Sequence, residues 1–169
     1  QRLALLKKNH MDEQYVARRS VRNLPEVITG QHEWLSQLTA DAATVNAHAS
    51  DPVAIGGRTY SREDLPAILG GRLDTMPKHV RETTRVPMGI YRGLSFGLVI
   101  RPEFPPEVFL DGPAPRTVGL SRDHQGPRAV LNAVERLASE YGAECDHMRQ
   151  NIAIAEGQLR DNRARLGKP

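Results

Sequence analysis

A seven-residue repeat near the end of the chain restricts the fold more than any other feature. Leu131, Ala138, Cys145, Ile152, Leu159 and Leu166 fall on one heptad position, and Val134, Tyr141, Met148, Ala155 and Asn162 on the other. Apolar residues spaced three and four apart line one stripe of an α-helix, and a stripe of that length has to be buried against a partner. Gly126 and Pro127 supply the start, because proline suits the first helical turn, where its missing N–H costs nothing. The pattern predicts one helix over residues 127–169.

A second seam lies near the other end. Leu24, Ile28, Gln31, Leu35, Leu38, Ala42 and Val45 step by four and three. Continued backwards, the frame collects Val21, Ala17, Gln14, His10, Lys7 and Leu3, which is much less apolar. Pro25 removes an interior helical hydrogen bond, and Asn23 before it can cap a new start. Helices over residues 1–50 are therefore expected, broken near 23–25. Each long helix can reach roughly 60 Å at 1.5 Å per residue. Two tethered helices with one apolar seam each are expected to pair antiparallel.

Residues 51–126 read differently, because glycine and proline punctuate them throughout. Strands are expected at 53–55, 58–60, 86–91, 94–101, 106–110 and 115–120, with a short helix at 62–69. "IGGRTY" is a two-residue turn between short strands. In "SRED", the Ser61 hydroxyl is placed to accept from the Asp64 amide as a helix cap. "GIYRGLSFGLVI" reads as a hairpin turning at Arg92 and Gly93, and "PPEVFLDGPAPRTVGL" as the next. The predicted architecture is α+β. A long antiparallel two-helix coiled coil carries a small β-rich domain, residues 51–126, inserted at the hairpin tip.

Composition agrees with solvated helices. Aromatic residues make up 5% of the 169 and the mean hydropathy is −0.49, poor material for a large core. The single Cys145 excludes an internal disulfide and sits at a core position of its helix. No apolar run approaches the ~18 residues of a membrane span, and no secretory leader is visible, so no membrane partner and a cytoplasmic location are expected. The ends, Gln1 and "RLGKP" in mid-pattern, read as those of a piece of a longer protein.

Catalytic groupings are weak. Ser61 with Asp64, and His79 with Glu82, read more simply as a cap and a polar loop, and neither pair has the third group that activates a nucleophile. His32, His48, His124 and His147 lack the short spacing of zinc ligands. "GGRTYS" lacks the lysine of a phosphate loop. The fragment is expected to have no catalytic residues, no metal and no cofactor.

Charge is more informative. Residues 1–25 hold Arg2, Lys7, Lys8, Arg18, Arg19 and Arg22 against Asp12 and Glu13, and residues 149–169 hold Arg149, Arg160, Arg163, Arg165 and Lys168 against Glu156 and Asp161. Antiparallel pairing brings both stretches to one end, which carries +7 in a chain of net +3. A second run places Lys78, Arg81, Arg85, Arg92 and Arg101 against Glu82 alone, with Tyr91 and Phe96 among them. Clustered cations bind phosphates through counterion release, and aromatics between them can stack bases. The simpler readings are a solvated charged face for the cations and an internal core for the seam.

The order "IGGRTYSRED", "GIYRGLSFGLVI" and "HQGPRAVLNAVERL" resembles a C-terminal region of large plasmid- and phage-borne proteins that fuse a Swi/Snf-type helicase to an adenine-specific DNA methyltransferase. The matching residues are Gly57, Tyr60, Arg62, Gly89, Tyr91, Arg92, Gly93, Gly126, Leu131, Asn132, Ala133 and Glu135. Leu94, where that pattern has Phe, and the segment "GPRAV" depart from it. The resemblance implies a bacterial parent acting on DNA in a mobile element or in defence against one. Neither a P-loop nor an "NPPY"-type methyltransferase signature occurs in these residues, so both activities would lie elsewhere in the parent.

The expected function is a non-catalytic DNA-contacting or target-recognition module. Lys78, Arg81, Arg85, Arg92, Arg101 and Tyr91 are its expected contacts. Arg18, Arg19, Arg22, Arg160, Arg163 and Arg165 form a secondary basic end. The expected partners are DNA and the rest of the parent. The alternative is a protein-interaction or oligomerisation scaffold that pairs through Leu3, Leu5 and Leu6, giving a homo-oligomer.

Overall fold

Each apolar strand in the middle of the chain finds its neighbour in the strand that follows. In the computed structural model, which describes the backbone of residues 2–167 and side chains from residue 4 to 167, the helices are α1 (Arg2–Ala47), α2 (Leu65–Asp74), α3 (Pro127–Ser139) and α4 (Tyr141–Leu166). The strands are β1 (Val53–Ile55), β2 (Arg58–Tyr60), β3 (Thr84–Tyr91), β4 (Leu94–Ile100), β5 (Glu107–Asp111) and β6 (Arg116–Gly119). They form one six-stranded antiparallel sheet in the order β2-β1-β3-β4-β5-β6. The chain divides into a sheet unit, Gln37–Glu144, and a helical unit made of Gln1–Ser36 and Cys145–Pro169.

This overturns the expected coiled coil with a small inserted domain. The structure has four helices and a continuous sheet, and the sheet-bearing unit is the larger of the two. The physical reason is the poor stability of separate hairpins, since a two-stranded ribbon is marginal in water. Phe96 pairs with Leu110 and Leu98 with Val108, and all four are buried on one face. Val134 and Ala138, assigned to the seam before Glu140, are buried in the sheet unit, as is Tyr141 at the start of α4, and α3 lies on β5 and β6 with α2 beside it. A helical stripe that packs on a sheet has the same period as one that packs on a helix.

Two further expectations change. The helix expected over 127–169 is interrupted at Glu140, whose backbone leaves the helical conformation (φ −93°, ψ 0°) while its N–H still donates to the Arg136 carbonyl at 3.1 Å. The break expected at 23–25 is absent, because α1 runs through Pro25. The lost N–H removes one hydrogen bond, and the α1 residues flanking Pro25 pack along the helix, with Val21, Leu24 and Ile28 half-buried. The short helix expected at 62–69 begins later, at Leu65. Ser61, expected as its cap, lies in the turn before it; the Asp64 N–H donates to Ser61 Oγ at 3.4 Å and that hydroxyl to Asp64 Oδ2 at 3.0 Å, but the capping position is Asp64, with no side-chain cap bond.

The hairpin between β3 and β4 turns at Arg92 and Gly93, whose φ values of 47° and 83° are the left-handed pair of a tight two-residue loop. On the sheet face opposite the α3 side, Gly97 lies across from Phe109. A Cβ on Gly97 would meet the Phe109 ring and the Val86 carbonyl, so the missing side chain is what lets the ring lie flat on β4. Phe109 is fully buried even so.

A polar group is buried in the sheet unit. Asp41 is 1% exposed and its Oδ2 accepts from the Ala114 N–H at 2.8 Å. Burial pushes its carboxyl above the ordinary range, against the pull of that amide and of Arg116. Arg116 donates from Nη1 to the Leu137 carbonyl at 2.7 Å and stacks over Tyr141 at 4.4 Å.

In the helical unit, α1 and α4 pack in antiparallel order. Gln14 Nε2 donates to the Arg165 carbonyl at 3.3 Å, and His32 Nε2 lies 3.3 Å from Glu156 Oε1. Ala17 of α1 and Cys145, Ile152, Ala155 and Leu159 of α4 are buried, as their seam positions predict.

Candidate nucleic-acid interface

The sheet unit holds a cleft of about 1130 Å³. Four segments build it. They are the end of α2 with the connection that follows, the end of β4, the loop from Arg101 to Pro106, and the loop from Arg122 to Pro127 that leads into α3. Its floor is apolar, with Leu98 and Ile100 from the core face of β4 and Leu73, Met76 and Val80 beside them. Its cations are Lys78, Arg81, Arg101 and Arg122, with the carboxylates of Asp74 and Glu103 also present.

These cations are not equivalent. Lys78, Arg81 and Arg122 are exposed, and none makes an ion pair among the described residues. Arg101 is partly committed. Its Nε lies 3.2 Å from Glu107 Oε1, an electrostatic pair rather than an aligned hydrogen bond, and its guanidinium sits 5.1 Å from the Phe104 ring centre. Phe104 itself is 63% exposed. Glu103, just before it, has a φ of 65°, a left-handed conformation that a residue with a Cβ seldom adopts.

The cations expected to act together are thus divided. Lys78, Arg81 and Arg101 share the cleft. Arg85 does not. It stacks at 3.8 Å over Phe109 and pairs with the Asp111 carboxylate, on the opposite sheet face. Arg92 and Tyr91 line a second, smaller pocket of about 390 Å³, where Arg62 and Arg92 are balanced by Asp51 and Glu135. Tyr91 is buried, which pushes its hydroxyl upward despite Arg92 beside it. Tyr60, Arg62, Tyr91, Arg92, Leu131 and Glu135, drawn from three separate sequence motifs, converge on this pocket.

Sequence reasoning missed Arg122 and Phe104. Arg122 lies beside Asp123, so a local charge count cancels it. Phe104 stands alone in a proline-rich loop with no period to betray its exposure.

The secondary basic residues all lie in the helical unit. Arg18, Arg19, Arg22, Arg160, Arg163 and Arg165 are exposed, without ion pairs among the described residues. The contact between Gln14 and Arg165 brings the two stretches toward one end of that unit. The side chains of Arg2, Leu3 and Lys168 lie outside the described residues. Among the described residues, no cluster of three or more His, Cys, Asp or Glu could hold a metal, and no helix is long and apolar enough to cross a membrane. Comparisons with protein-family models, with curated proteins and with solved structures find no match to this chain.

Proposed function

We propose that these residues form a non-catalytic DNA-contacting module of a larger DNA-processing protein, of the helicase–methyltransferase kind that the motifs resemble, working in the cytoplasm. One observation carries the reading. Lys78 and Arg81, from the connection after α2, meet Arg122, from the loop before α3, in one cleft, and none of the three makes an ion pair among the described residues. Paired cations have already lost their electrostatic reward. Unpaired ones beside an open cleft gain most from phosphates, through counterion release. The basic end of the helical unit adds a second such surface.

The test is binding to labelled DNA across a salt series, for the wild type and for Lys78→Ala/Arg81→Ala/Arg122→Ala. Each lost phosphate contact should lower the log–log salt slope by roughly 0.7–0.9. A triple variant with wild-type affinity and slope would end the proposal.

A second reading is favoured by a different observation. Leu5, Val16 and Val27 on α1 are 60%, 57% and 48% exposed, and they recur every 11 residues, which keeps one helix face for three turns. Leu6 is exposed beside them. On this reading the helical unit pairs with another helix, in a homo-oligomer or in the parent. A sedimentation profile that stays monomeric across the concentration range would count against the homo-oligomer.

A further inference from the structure

We infer that the cleft takes single-stranded nucleic acid in preference to duplex, with Phe104 as the side chain on which a base stacks; the inference rests on the DNA-contacting role proposed for the same cleft. Two parts of the cleft have no use for a duplex. Its floor is apolar, with Leu73, Met76 and Val80 half-exposed over the buried end of β4. Its loop wall carries Phe104 at 63% exposure. A duplex keeps its bases stacked inside and offers phosphates and groove edges, so both features would go unused. A single strand offers base faces together with phosphates. Aromatic side chains within a basic groove are how such strands are held without sequence preference.

The geometry around Phe104 supports this. Among the described residues of the sheet unit, Phe104 and Ile90 are the large apolar side chains left exposed, and Phe104 is the more exposed at 63% against 45%. Leaving such a ring in water forgoes the stabilisation that burial would bring. The residue before it adopts a left-handed φ of 65°, a conformation that costs energy and is concentrated at functional positions. The Arg101 guanidinium lies over one face of the ring at 5.1 Å, so a base stacked on the other face would sit on a ring already backed by a cation. The volume, about 1130 Å³, exceeds the roughly 300–1,000 Å³ usual for compact small-molecule ligands, which favours a stretch of polymer.

The probes are a fluorescent oligothymidylate and a duplex of equal length at matched salt, measured against the wild type, Phe104→Ala, Phe104→Tyr and the triple rim variant. The single strand should bind at least tenfold more tightly. Phe104→Ala should weaken single-strand binding about 5- to 150-fold, the range of one lost base stack, with the salt slope unchanged. Phe104→Tyr should retain affinity, since it keeps a stacking face. Phe104 is exposed, so unchanged circular dichroism is expected for both substitutions. Equal or tighter duplex binding, or Phe104→Ala with wild-type single-strand affinity, overturns the inference. If the rim variant still weakens duplex binding in that case, the backbone-contact role survives it. Binding of neither probe at low salt overturns both.

Discussion

The guanidinium of Arg85 lies 3.8 Å above the ring of Phe109 and pairs with the Asp111 carboxylate. The ring in turn occupies the space that Gly97 leaves empty. The arginine therefore covers an aromatic residue that is fully buried beneath it. A cation so engaged is not free for phosphate. Arg85→Ala should cost about 1–3 kcal/mol, because it uncovers the ring and leaves a partly buried carboxylate without its partner. It should leave the salt slope of DNA binding unchanged, while the Lys78/Arg81/Arg122 variant lowers it. Urea unfolding followed by circular dichroism, together with the salt series, separates the two effects.

Gly97→Ala tests the same stack from below. The added methyl would collide with the Val86 carbonyl and the Phe109 ring. Neither is the loose end of a flexible side chain, so overpacking should cost about 1–3 kcal/mol. Faster hydrogen exchange of the β4 and β5 amides would register it.

Asp41 should make stability depend on pH with an unusual sign. Burial raises its carboxyl above the ordinary value of 3.8. A group whose folded pKa exceeds its unfolded one contributes stability that is complete below the unfolded value and is lost as pH rises through the folded one. The wild type should therefore lose stability relative to Asp41→Asn as pH rises from the ordinary carboxylate value through the raised folded one. Parallel stability curves for the two proteins would contradict this. Gly112→Ala should be destabilising for a related reason, since its Cβ would run into the Asp41 carboxylate.

Arg116 is 9% exposed and satisfies the Leu137 carbonyl while stacking on Tyr141. Arg116→Lys keeps the charge and loses the planar contact, and Arg116→Ala loses both. Unfolding free energies should fall in that order, with alanine costing about 2–4 kcal/mol.

Pro25 lies inside α1 with no N–H to give. Pro25→Ala should restore one helical hydrogen bond and stabilise the helical unit by about 1–3 kcal/mol. Trp34, within that unit, provides the fluorescence signal, and an unchanged or lower midpoint would count against it.

What could be read from the sequence followed local punctuation. The Gly56–Gly57 turn, the Arg92–Gly93 hairpin and the start of α3 at Pro127 are set by residues within a few positions of each other. Cys145, Ile152 and Leu159 were legible as buried because a helical period needs no knowledge of its partner. The partner itself was not legible. The stripe through Val134 and Ala138 continues the period of α4, yet it lies in α3, before the break at Glu140, and packs in the sheet unit. The cleft was only half visible. Lys78, Arg81 and Arg101 stand in one charged run, whereas Arg122 reaches them only because the loop before α3 returns to the end of β4. The engagement of Arg85 depends on β5, more than 20 residues further along the chain.

The helical unit is assembled from Gln1–Ser36 and Cys145–Pro169, with the whole sheet unit between them in sequence. On the ribosome this separation becomes a delay. At typical elongation rates, the apolar stripe of α1 waits roughly 5–20 s before the first residues of its α4 partner are made. Leu24, Ile28 and Leu35 are without that partner throughout the interval. The sheet unit is contiguous and can form as it emerges. Mutations that slow α4 pairing should therefore lower yield more than they lower equilibrium stability.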